Sequence, residues 1–256
     1  MFFIIATAAW IIHCDVTIKT VSYGFVFSSA RNSATRCFMS SIDSPSLAAI
    51  AAATCTRSAA ELFGQFLRWK APWYAYLVAL GVPAVTVGGA AVTAQVVGPA
   101  TTIDLVGIRI GMGAIIAGSF GEEIGWRGFV QPRLNRRLNL FWASLLVGVA
   151  WATWHCWTVF APHGLSGDWL FDVALTYLRL VPTALIYGWL YYISNRSLPL
   201  VMVAHATHNI AVNAFIIPAA AASFNATLAG LYLVLAVIVV YVRRNDFFAM
   251  TKSPES

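Results

Sequence analysis

The stretch WYAYLVALGVPAVTVGGAAVTAQVV, Trp73 to Val97, carries no charged residue and is opened by Pro72. A helix of that length outreaches the ~30 Å of hydrocarbon in a bilayer, which takes about 20 residues to cross. Working outward from it, further apolar stretches run over residues 103–120, Leu140–Phe160, Trp169–Ile193, Leu198–Ile217 and Thr227–Val242. Upstream the pattern weakens. Pro45–Thr54 is apolar but too short to span unless it starts near residue 38. Phe2–Ile12 and Val21–Phe27 are shorter still, with Asp15, Lys19, Arg31, Arg36 and Asp43 among and around them. The expected fold is therefore all-α: a polytopic transmembrane helical bundle of six full spans, with one or two incomplete ones at the N-terminus.

Composition points the same way. Charged residues make up 10% of the 256 residues, against roughly 25% in a soluble globular domain. That is too little charge to cover a soluble surface. The 16 Phe, 9 Tyr and 10 Trp suit a protein with two membrane–water interfaces to line. A net charge of +6 invites a nucleic-acid reading, but the charges sit in short clusters between apolar spans, so no nucleic-acid partner is expected; the bilayer is. Cys14, Cys37, Cys55 and Cys156 form no CxxC pair or secreted-scaffold spacing, so neither a disulfide framework nor a zinc knuckle is indicated. The start has no basic n-region and no small-residue cleavage site, so a removable signal peptide is not expected.

The loops orient the spans. Arg57, Arg68 and Lys70; Arg133, Arg136 and Arg137; Arg196; and Arg243, Arg244 and Lys252 occupy one set, while the alternate loops near 98–102, 161–168 and 218–225 contain no Lys or Arg. With six spans the two sets alternate strictly, and the positive-inside rule puts the basic set in the cytoplasm. The expectation is a multi-pass integral membrane protein.

Ionisable groups inside such spans are costly and mark a functional site by default. Gly121-Glu122-Glu123-Ile124-Gly125-Trp126-Arg127 puts two carboxylates and a guanidinium at the end of an apolar helix. Glu123 and Arg127 are i,i+4 neighbours and so able to pair. Glu122 is turned about 100° away and left without that partner. A lone carboxylate against apolar walls suits a general base that takes a proton from water. A salt-bridged helix end at the cytoplasmic interface is the bland alternative. His155 lies inside an apolar span with Trp151 one turn back, and His205 shares a helix face with Asn209, with His208 about 60° off it. A lone membrane histidine more often bonds helix to helix. Here Glu, His and His/Asn come from three spans able to converge on one water. By simple rise His155 lies about 22 Å above Leu140, deeper than a carboxylate at a helix end, so that helix is expected to tilt or start lower.

The three segments resemble the signature motifs of the CPBP family, the CAAX prenyl protease and bacteriocin-processing (Abi-type) intramembrane endopeptidases: E-E-x-x-x-R, F-x-x-x-H and H-x-x-x-N. Here they read Glu122-Glu123 to Arg127, Trp151 to His155 and His205 to Asn209. Trp151 stands where the family usually has Phe. The resemblance covers about residues 44–245, expected as the protease domain, with 246–256 a cytoplasmic tail. Residues 1–43 lack the hydrophobic helices family members carry there and read as an atypical segment, consistent with a mis-called start.

The resemblance implies a peptidase whose site opens to the cytoplasm, with a peptide or prenylated protein as substrate. Glu122 and His155 would activate a water, and His205 and Asn209 would stabilise the oxyanion. Glu123, Arg127 and Trp151 would support the site. A zinc version competes, with Glu122, His155 and His205 as ligands, but there is no HExxH and Asn209 suits a donor better than a ligand. Two other classes stay open: a non-catalytic membrane immunity or interaction protein on the same scaffold, and a small-solute transporter. The transporter lacks the expected inverted repeat. Among lesser signals, Gly164-Leu165-Ser166-Gly167 matches a rhomboid-type GxSG by chance, and Cys156 points about 100° from His155. Asp172 and Arg179, seven apart on one face, read as a buried structural pair rather than part of a transport path.

Overall fold

The computed structural model describes residues 59–97, 102–103, 116, 118–156, 169–216 and 221–249. The readings of residues 1–43, of Pro45–Thr54, of most of the stretch 103–120 and of Gly164–Gly167 lie outside them. In chain order the elements are α1 (Ala59–Gly64), a 3-10 turn (Gln65–Leu67), α2 (Trp73–Val97), β1 (Thr102–Ile103), a π-helical segment (Ile124–Val130), α3 (Gln131–Leu134), α4 (Leu140–His155), α5 (Trp169–Ile193), α6 (Leu198–Ala214), β2 (Phe215–Ile216), α7 (Ala221–Val242) and α8 (Arg244–Phe248).

Among the described residues the architecture is helical apart from β1 and β2, which pair antiparallel with Thr102 opposite Ile216 and Ile103 opposite Phe215. Three helices are long and apolar enough to cross a membrane: α2, α5 and residues Ala222–Val242 of α7. α4 has 16 residues and α6 has 17, short of the ~20 a full crossing takes. The β1–β2 pair holds together the loop after α2 and the end of α6, both free of Lys and Arg. At the opposite end Glu61 lies 3.8 Å from Arg136 and 3.8 Å from Arg196, joining three basic loops. These contacts bring two Lys- and Arg-free connections together at one end and Arg136 and Arg196 together through Glu61 at the other.

α5 is the central post: it packs against α4 on one side and α7 on the other, and it touches α6 and α2. The α4–α5 contact is made close by small residues, Ser144 and Gly148 on one helix, Ala184 and Gly188 on the other. A Cβ on Gly148 would come within 2.9 Å of both the Ala184 Cβ and the Val181 Cα, and one on Gly188 within 2.1 Å of the Ser144 Oγ. Small residues four apart let two backbones approach this way where lipid gives no hydrophobic drive. Gln131 Nε2 donates to Ser144 Oγ at 3.0 Å across the same seam. α4 starts cleanly because the Asn139 side chain accepts from the Trp142 N–H at 3.1 Å, satisfying an orphan donor of the first turn.

One expectation is overturned. The polar run 121–127 does not end a helix. Residues 118–123 are helical and pass without a break through the π segment into α3. Glu122 therefore sits about 18 Å along the helix from Leu134, near the level of Trp151 on the antiparallel α4, about 16 Å from Leu140. The mismatch in depth between His155 and the glutamates disappears. The charges are carried in the helix interior because partners on neighbouring helices meet them there, as the next section describes.

Candidate active site

The site begins with Glu123 and Arg127, both fully buried. Arg127 Nη1 donates to Glu123 Oε1 at 3.0 Å, the i,i+4 pair expected from spacing. The guanidinium lies over two rings, 4.8 Å from the centre of Trp151 and 5.3 Å from that of Tyr187, where the ring quadrupole favours a cation. A second bond reaches the same carboxylate oxygen from α6: His205 Nδ1 lies 2.8 Å from Glu123 Oε1. Glu123 thus fixes a histidine 82 residues away as well as its own helix.

The π geometry has a local role. It turns Gly125 to Phe129 into the interior and leaves the Gly128 carbonyl to accept from Gln65 Nε2 at 3.2 Å, while Gln65 Oε1 accepts from Tyr191 OH at 2.7 Å. A Cβ on Gly128 would come within 2.8 Å of Leu62. π-bulges recur at functional sites; this one stands immediately after the paired glutamates.

Glu122 is 8% exposed. It was expected to be without a partner, and that is corrected: Trp151 Nε1 donates to Glu122 Oε2 at 2.6 Å. Trp151 thus does more than pack beside His155, because its indole N–H is the group that anchors the carboxylate. A hydrogen bond to a charged acceptor contributes about 1.5–3 kcal/mol. One turn on, His155 Nδ1 lies 3.1 Å from the Trp151 carbonyl. A carbonyl only accepts, so Nδ1 carries the proton. The His155 ring stands edge-on to Trp151 and Trp154, with centroids 5.7 and 4.8 Å apart.

His205 and Asn209 share a face of α6 but take different partners. The His205 ring packs 5.2 Å from Trp151 and 6.0 Å from Tyr187, whereas Asn209 Nδ2 donates to Ser119 Oγ at 3.0 Å. The i,i+4 spacing thus ties α6 to the glutamate helix at two points. His208, off that face, meets Tyr232 of α7, with OH and Nδ1 2.8 Å apart. Cys156 Sγ donates to the Ala152 carbonyl at 3.3 Å and takes no part. Asp172 and Arg179 do not form the expected pair: Asp172 is exposed, and neither is in any ion pair among the described residues.

Sequence reasoning missed Ser119 and Tyr187. Ser119 had a signal, lying three and four residues before Glu122 and Glu123 on their helix face. Tyr187 had none, being one aromatic among many in an apolar span. Among the described residues no three His, Cys, Asp or Glu side chains lie together as a metal-ligand group, and His205 Nδ1 is already committed to Glu123.

Comparison with known proteins agrees with the motifs. The family described as Type II CAAX prenyl endopeptidase Rce1-like matches residues 105–211, which contain all three motifs. CAAX prenyl protease 2 of Methanococcus maripaludis is 30% identical over 101 residues, 38% of this chain and 36% of that protein. The chain thus spans about a third of the relative's length. Over the segment that holds its glutamates, histidines and asparagine, this chain is similar to the Rce1-like family of type II CAAX prenyl endopeptidases.

Proposed function

We propose that this protein is a multi-pass intramembrane endopeptidase that hydrolyses a peptide bond near the C-terminus of a CAAX-type protein, at a site open to the cytoplasm. The observation that carries the reading is the state of Glu122. It is a nearly buried carboxylate with one oxygen fixed by the Trp151 indole, one helical turn below His155, with the other oxygen able to meet a water.

In this mechanism Glu122 Oε1 takes a proton from water as the oxygen attacks the scissile carbonyl, and His155 Nε2 orients the same water. The carbonyl oxygen becomes an oxyanion met by donors from His205 and Asn209, held in place by Glu123 and Ser119. The carbon–nitrogen bond then breaks, and the proton on Glu122 passes to the leaving amine. Water is consumed and two peptides result. No step passes through a metal. Glu123 and Arg127 act by holding His205 and the helix, as positioning residues. A scaffold without catalysis, or a solute pathway, has no use for a carboxylate anchored beside a histidine in this way.

The test is direct. Purified protein in detergent is given an S-prenylated peptide ending in a C-a-a-X sequence, and products are read by mass spectrometry. Release of a C-terminal tripeptide, absent with Glu122→Gln, is expected. An intact peptide under conditions where the protein stays folded overturns the reading.

A further inference from the structure

Arg179 is the charge that the catalytic scheme does not use. It is the eleventh residue of α5, well inside a stretch long and apolar enough to cross a membrane. Thr176, Thr183 and Ile186, on the same side of the helix, are buried, so that side faces the bundle interior. The guanidinium has no hydrogen bond or ion pair among the described residues, and its buried Nε atom has no partner. Its charge is felt at His155 of α4, His208 of α6 and Tyr232 of α7, three side chains on three helices around it.

Its height along the bundle follows from the α4–α5 seam. Thr153 and Tyr177 hydroxyls lie 2.7 Å apart, and a Cβ on Gly148 would meet the Val181 Cα at 2.9 Å. Arg179, between residues 177 and 181, is therefore level with Trp151, the residue that anchors Glu122. Packed helix axes are about 8–10 Å apart, so the Arg179 backbone lies about one helix spacing from that of Trp151.

We propose that Arg179 is the receptor for the free terminal carboxylate of the substrate. An arginine in a membrane span is costly unless an anion meets it, and a carboxylate fits the guanidinium fork by two parallel bonds. A C-a-a-X substrate cut after its cysteine places its terminal carboxylate three residues beyond the scissile bond, about 10 Å when extended. One helix spacing, the separation of Arg179 from the helix that carries His155 and the Trp151 bonded to Glu122, is of that order. This inference rests on the peptidase reading above and adds to it that the site measures distance from a chain end.

The experiment compares two S-prenylated peptides identical except at the C-terminus, one a free acid and one a carboxamide, with wild type and with Arg179→Gln and Arg179→Lys. Wild type is expected to favour the acid at least tenfold in kcat/KM, mostly through KM. In Arg179→Gln the acid-to-amide ratio falls to about one, and Arg179→Lys restores part of it. Equal cleavage of acid and amide by wild type overturns the receptor and leaves the peptidase standing; so does an unchanged ratio in Arg179→Gln. Cleavage of neither peptide by folded wild type overturns the peptidase reading, and this one with it. The wild-type comparison needs no variant, so a poorly folding Arg179→Gln does not remove the test.

Discussion

The indole N–H of Trp151 and the Glu122 carboxylate are joined at 2.6 Å across two helices, 29 residues apart in sequence. The bond fixes one oxygen of the proposed base and leaves the other to the reacting water. In Trp151→Phe the ring, and with it the packing beside His155, His205 and Arg127, is kept while the donor is lost. We expect near-normal thermal stability in detergent and a fall in kcat of about tenfold, the rate equivalent of roughly 1.4 kcal/mol. Unchanged turnover in this variant removes the indole from the mechanism.

Glu122→Gln keeps the shape and still accepts from Trp151, but its amide oxygen takes no proton from water. Cleavage should fall by at least about 10²–10⁴, the usual contribution of a general base, with expression and unfolding temperature close to wild type. Substantial residual activity would falsify the assignment of Glu122 as base.

Glu123→Gln separates the two carboxylates. It leaves Arg127 buried without its counter-charge and weakens the hold on His205 at once. Removing one member of a buried pair typically costs about 3–5 kcal/mol, so this variant should lose stability as well as activity. Thermal unfolding in detergent reads the difference, and a wild-type curve would count against the pairing.

Asn209→Ala and His205→Ala test the donors against the metal alternative. If both meet the oxyanion, Asn209→Ala lowers kcat by about 10²–10³ with KM little changed. Elemental analysis of the two variants should match wild type, and a strong chelator should leave wild-type activity in place. Stoichiometric zinc, lost on His205→Ala, would instead support ligation by Glu122, His155 and His205 and keep the peptidase assignment.

Gly188→Ala probes the seam that brings the site together. The added methyl would lie 2.1 Å from Ser144 Oγ and 2.6 Å from Gln131 Nε2, so α4 and α5 must part or Ser144 must turn. Overpacking of this kind costs about 1–3 kcal/mol. The change should appear as a lower unfolding temperature and, because Trp151 rides on α4, as a smaller kcat. Tolerance with full activity would mean the helices are looser than the packing shows.

Contacts between neighbours along one helix are legible in the residues alone. Apolar length gave α2 and α5 to the residue, and the spacing of Glu123 and Arg127 gave their ion pair, since residues four apart on a helix always meet. Charge in alternate loops grouped Arg136 with Arg196, which meet Glu61 in space. Three motifs on three helices named the candidate site residues.

Which of those residues bond to each other follows from how the helices pack. Trp151 to Glu122, His205 to Glu123 and Asn209 to Ser119 join positions 29, 82 and 90 residues apart, and each depends on how one helix is rotated and raised against another. That rotation is set by packing, here by Gly148 and Gly188 against Ala184, Val181 and Ser144, and small residues give the same apolar signal whether they face lipid or a neighbouring backbone. The depth of the glutamates was misread for a related reason: in sequence a charged run looks like the end of a span. It continues as helix because Arg127, His205 and Trp151 meet the two carboxylates inside the bundle, and no periodicity within one segment records partners supplied by others.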